Sequence, residues 1–172
     1  NISSPDFMKH VRAIEFFEHA SFDDKRAPEV SRLLIKGMAS KDPRISTAAA
    51  RAIRKWVTSE TNDYFLKIID HPQREKSGID NPLGQVSLAL DILARLKEPA
   101  AVPAMVRLLK NFFDRSDAAF AIKRMGPQLA QEELQNLASD RNADVRAAVE
   151  EILQEFHDGG PRLPAFLKDL DS

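Results

Sequence analysis

Between Asp140 and Leu153 the chain reads DRNADVRAAVEEIL, with Val145, Ala148, Val149, Ile152 and Leu153 at i, i+3, i+4, i+7 and i+8. That spacing is one apolar stripe at helical period and predicts a helix opening near Ala143, with Asp140 as its cap. Three weaker copies lie upstream. One is Ile45, Ala48, Ala49, Ala52 and Ile53; the next is Val86, Ala89, Leu90, Leu93 and Ala94; the third is Ala118, Ala121, Ile122, Met125 and Gly126. A stripe this narrow cannot bury itself, so its recurrence predicts helices paired and stacked until each covers the next. The expected fold class is all-α.

The segments between the copies carry their own start and stop signals. Ser3-Ser4-Pro5-Asp6 opens a first helix reaching about Ala20, apolar on more than one side, as an end helix covering a stack would be. A charged turn from Phe22 to Arg26 follows. Pro28 then opens a helix with Val30, Leu33, Leu34 and Met38 as its core, ending before Lys41-Asp42-Pro43. The next helix, Arg44 to about Thr58, is rich in Ala, which permits close approach of a neighbour, and closes on Trp56 and Val57. Thr61 or Asn62 caps a short helix with Phe65, Leu66, Ile68 and Ile69 inside, broken at His71-Pro72. Residues 70–84 form the longest polar loop, either functional or a tolerated insertion.

A helix from Leu83 to Leu96 precedes one built on Val102, Met105, Val106, Leu108 and Leu109, whose Pro103 must sit in the first turn. Phe112 and Phe113 end it. Asp114 or Ser116 caps a helix running to Met125, which Gly126-Pro127 stops; Leu129, Leu134, Leu137 and Ala138 line one more. After His157-Asp158-Gly159-Gly160-Pro161 the tail sets Leu163, Phe166, Leu167 and Leu170 on one face, either to cap the stack or to dock on another chain. The organisation expected is one array over 1–172, with a capping helix at 1–24, repeats at 25–156 and a tail at 157–172.

With 172 residues, 43% hydrophobic and 30% charged, the chain can build one continuous core and cover it. A net charge of −1 argues against a general polyanion binder, which needs a basic surplus. The absence of Cys removes disulfides, thiolate metal sites and thiol nucleophiles. His10 and His19 lack the i, i+4 spacing of a helical metal pair. No apolar run reaches 18 residues and no signal peptide is visible, so no membrane span is expected. A start at Asn1 suggests a processed or excised piece of a longer protein; the cytoplasm and export both remain open.

Two features together carry a family resemblance. One is a helix with proline near its start and a paired-leucine end, Ala101-Val102-Pro103-Ala104-Met105-Val106-Arg107-Leu108-Leu109. The other is an acidic turn leading into a helix with paired alanines, as at Asp144-Val145-Arg146-Ala147-Ala148 and Asp42-Pro43-Arg44-Ile45-Ser46-Thr47-Ala48-Ala49. From about Arg26 to Phe156 the chain resembles the HEAT repeat family, including the HEAT-like repeats first named from phycobilisome lyases. The resemblance implies a right-handed α-solenoid of about four to five stacked antiparallel hairpins, most often a protein-binding scaffold. The copies begin at Ile45, Val86, Ala118 and Val145, offsets of 41, 32 and 27 residues, and only the last keeps the Val-Arg pair.

Turning each stripe inward at 100° per residue leaves a presumed inner ridge. It carries Thr47, Ala50, Arg51 and Arg54, then Leu88, Asp91, Ile92 and Arg95, then Phe120, Lys123 and Arg124, and last Ala147, Glu150, Glu151 and Gln154. The candidate partner-binding residues are Arg51, Arg54, Leu88, Asp91, Arg95, Phe120, Lys123 and Arg124. Leu88, Ile92 and Phe120 are apolar where solvent is expected. Either the helices are buried more widely than the pattern implies, or these residues form the centre of a groove for an acidic amphipathic segment.

The leading reading is a non-catalytic scaffold binding a partner segment on its concave face. A nucleic-acid module, like the HEAT-like alkyl-base glycosylases, is second, on the strength of Trp56 beside Arg54 and Lys55. A lyase- or hydrolase-type enzyme is third, since no Ser/His/Asp set or Gly-rich phosphate loop appears. No catalytic, cofactor-binding or metal-binding residue is assigned.

Overall fold

Proline and glycine set many of the helix boundaries in the computed structural model, which describes residues 5–72 and 84–159. Pro5, Pro43 and Pro127 each open a helix, where a missing N–H is no loss. The helices are α1 (Pro5–His19), α2 (Ala27–Met38), α3 (Pro43–Trp56), α4 (Asn62–Asp70), α5 (Gln85–Arg95), α6 (Val102–Leu108), α7 (Arg115–Met125), α8 (Pro127–Leu137) and α9 (Ala143–His157). No strand occurs among the described residues. Pro103 falls in the first turn of α6, as the sequence requires, behind a 3-10 turn at Pro99–Ala101. Most of the polar loop (73–83) and most of the tail (160–172) lie outside the described residues. The chain divides into two compact units, 1–92 and 93–172, and the division falls inside α5.

In the first unit α2 lies along α3, and α1 packs on both. The alanines make the approach close. A Cβ added at Gly37 of α2 would stand 2.9 Å from the Ala49 Cβ of α3. Val30, Leu34 and Met38 meet this seam as buried side chains, with Ala48, Ala52 and Ile53 buried from the other helix. Ser31, fully buried, donates to Thr61 Oγ1 at 3.1 Å; Thr61 in turn donates to the Thr58 carbonyl at 2.7 Å. That relay fixes the 3-10 turn Ser59–Thr61 against α2 and satisfies hydroxyls that burial would otherwise penalise.

In the second unit α6 pairs with α7 and α8 with α9; α6 also packs on α8 and α7 on α9. Two helical hairpins therefore stack in two layers, and the stripes named from sequence fill the space between them. Ala118, Ala121, Ile122 and Met125 of α7 and Val145, Val149 and Ile152 of α9 are buried. Gly126, at φ 89°, makes the turn from α7 into α8 in one residue, in the left-handed region that favours glycine.

Lys97, at φ 55°, is the one non-glycine described residue in that region. It follows α5 in a Schellman arrangement, its N–H on the Ala94 carbonyl at 3.2 Å and the Glu98 N–H on Leu93 at 3.0 Å. Its ammonium donates to the carbonyls of Arg124 and Met125, the latter at 3.1 Å, at the negative end of α7.

The cap of α9 differs from expectation. Asn142, not Asp140, caps α9, accepting the Asp144 N–H at 2.9 Å. Asp140 stands two residues too early for that bond. It accepts the Asn142 N–H at 2.9 Å and pairs with Lys110 at 2.7 Å, and that lysine, with the backbone bond, holds its carboxyl below the ordinary carboxylate range.

Candidate functional site

The presumed inner ridge is largely neutralised by its own molecule. In the first unit Arg51 Nε lies 3.2 Å from Glu18 of α1, and Arg54 Nε lies 3.6 Å from Asp91 of α5. The structure thus brings two of the candidates, Arg54 and Asp91, into one ion pair.

Leu88 is 4% exposed and Ile92 fully buried, so neither can serve as an apolar contact for a partner. The reason lies in the residues of α5 itself. Val86, Leu88, Ala89, Leu90, Ile92, Leu93 and Ala94 place apolar side chains all round α5, and a helix apolar all round is a buried helix.

In the second unit Phe120 is 67% exposed on α7, with Arg124 exposed one turn on. Arg95, on the last turn of α5, is exposed as well. Lys123 is held inside the unit instead. Its Nζ lies 2.6 Å from Glu151 and 2.7 Å from Glu155, one turn apart on α9. Partial burial works against its charge, yet the two carboxylates more than offset that, and its pKa is raised.

A raised lysine pKa stabilises the folded state fully below the ordinary value of 10.5 and ceases to do so as pH rises through the raised one. Lys123→Met should therefore lower unit stability by about 1 kcal/mol at pH 7. The gap between variant and native chain should narrow above the ordinary lysine value, as read by urea unfolding followed by circular dichroism. An unchanged gap at high pH would show that the lysine acts through its aliphatic stem. Reversing Lys123 to Glu would instead crowd three carboxylates together, so that variant tests folding before it tests binding.

Trp56, the residue that suggested nucleic acid, is 2% exposed. Its indole N–H donates to the Phe17 carbonyl at 2.7 Å, in the last turn of α1, and its ring meets Phe17 and Phe22 at 5.8 and 5.5 Å. It is not free to stack on a base.

The structure exposes an aromatic pair that the pattern had taken only as a helix end. Phe112 and Phe113 are each 76% exposed, edge to face at 5.5 Å, in the turn between α6 and α7. The turn beneath them is fixed. Asn111 Nδ2 donates to Asp114 at 2.6 Å, the Phe113 N–H donates to Asn111 Oδ1 at 3.2 Å, and Arg115 Nε reaches the Leu109 carbonyl at 2.8 Å. Asp114 accepts within this turn and makes no side-chain capping bond to the helix it precedes. The available signal was the Asn-Phe-Phe-Asp spacing itself, since Asn and Asp close a turn and two adjacent rings cannot both face one core.

No family model and no curated protein matches this chain. Among the described residues no three or more of His, Asp or Glu gather as a metal site would need, and no helix is long and apolar enough to cross a membrane.

Proposed function

We propose that the chain is a HEAT-like, right-handed α-solenoid acting as a non-catalytic protein-interaction scaffold. The observation that carries this reading is the Phe112–Phe113 turn. Two large apolar side chains stand in solvent on a backbone pinned by side-chain hydrogen bonds, so little ordering remains to be done when a partner covers them. Complete burial by a partner yields about 1.5–3 kcal/mol for each ring. The stacked hairpins of the second unit support the repeat reading. Phe120, with Arg124 beside it, supplies the apolar and cationic contact expected of an acidic amphipathic partner segment on the second helices.

Incorporation of a photo-crosslinking phenylalanine analogue at position 113 of the full chain should capture one specific polypeptide from the native source. The same analogue at exposed position 12 should not. Phe112→Ser, introduced into the chain that carries the analogue at position 113, should weaken capture at least ten-fold and, in the native chain, change stability by no more than about 0.5 kcal/mol, as for other exposed sites. Equal capture at both positions would end the proposal, and so would capture indifferent to Phe112→Ser.

A further inference from the structure

The turn joining α1 to α2 reads Asp23-Asp24-Lys25-Arg26, two charges of each sign on four consecutive exposed residues. None of these four side chains forms an ion pair with a described residue; the Asp23 carboxylate accepts the Lys25 N–H at 3.0 Å. The turn borders an open groove of about 1030 Å³ that Phe16 and Phe22 also line. These two rings are 63% and 47% exposed. They are supported from beneath, Phe16 edge-on to Phe17 at 5.8 Å and Phe22 tilted against Trp56 at 5.5 Å. The groove is therefore a firm apolar surface fringed by charges that have no ion-pair partner among the described residues.

A partner carrying one sign of charge would be attracted by half of this fringe and repelled by the other half. A second copy of the chain meets no such conflict. Across a two-fold axis the acidic pair of one copy faces the basic pair of the other, twice over, and the exposed rings cover one another. We propose that this groove is the interface of a symmetric homodimer, with Phe16 and Phe22 at its centre and the four-charge turn setting its register. This rests on different residues from the Phe112–Phe113 turn and stands or falls separately from it.

Sedimentation equilibrium of the full chain between about 1 μM and 1 mM should show a concentration-dependent dimer, the range that separates weak from absent association. Phe16→Ser, which leaves the Trp56 contacts intact, should raise the dimer dissociation constant at least ten-fold with unchanged circular dichroism and Trp56 fluorescence. Asp23→Lys with Asp24→Lys, and separately Lys25→Asp with Arg26→Asp, should each give monomers. Mixing the two charge variants in equal amounts should restore a dimer. A wild-type chain that stays monomeric throughout overturns the proposal, as does a dimer indifferent to Phe16→Ser or a mixture of folded charge variants that stays monomeric. If either charge variant loses the native fluorescence, Phe16→Ser alone decides.

Discussion

Trp56→Ala should lower the unfolding free energy by about 3–5 kcal/mol, the range for emptying a buried tryptophan site. Three contributions fall together. The ring leaves a cavity among Phe17, Phe22 and the end of α3; the edge-to-face contact with Phe17 is lost; and the Phe17 carbonyl loses its donor. That carbonyl is one of the last in α1, which the helix cannot satisfy from within. Trp56→Phe separates the parts. It keeps most of the apolar volume and removes only the N–H, for a loss of about 1 kcal/mol from the bond plus whatever the smaller ring leaves unfilled. Urea unfolding followed by far-ultraviolet circular dichroism checks both variants. A loss below 1 kcal/mol for Trp56→Ala would mean that α1 is not sealed to α3 at this corner.

Gly37→Val should cost about 3 kcal/mol, at the upper end of what overpacking a tight seam usually costs. Helix propensity alone argues the opposite sign, since replacing an interior glycine by alanine gains about 1 kcal/mol. The geometry decides. A Cβ at position 37 would sit 2.9 Å from the Ala49 Cβ, and both atoms are fixed to helix backbone, so no rotamer change can relieve the contact. Gly37→Ala should accordingly be destabilising despite its better propensity, and Ala49→Gly introduced with it should recover part of the loss. Additive losses in that double-mutant cycle would show that α2 and α3 do not press together at this point.

Both variants act at positions whose identity is plain in the sequence and whose importance is not. A glycine late in an apolar helix and a tryptophan at the end of an alanine-rich one are unremarkable as letters. Their weight comes from what another helix places opposite them.

The same division holds for the candidate site. Helical period marked Leu88 and Ile92 as outward, and it did so correctly for a helix covered on one side. Period cannot count how many sides of a helix are buried, and the apolar residues of α5 are buried on more than one. For the charged ridge the residue types were right and their availability was not. Lys123, Arg51 and Arg54 are cations whose counter-charges come from α9, α1 and α5, twenty-eight or more residues away in sequence. Phe120 alone among the three apolar outward positions stands in solvent as the pattern implied.

What the residues alone determined is the set of helices. The 3.6-residue apolar stripes, with proline at helix starts and glycine at stops, act over a few residues and need no tertiary context, so an all-α chain could be read directly. Tertiary structure decided which of those stripes are doubly covered, where Trp56 sits, and which aromatic rings are left outside. Those outcomes depend on side chains brought together from distant parts of the chain. Burial and charge pairing are set by such neighbours in space, and a periodic pattern records only neighbours along one helix.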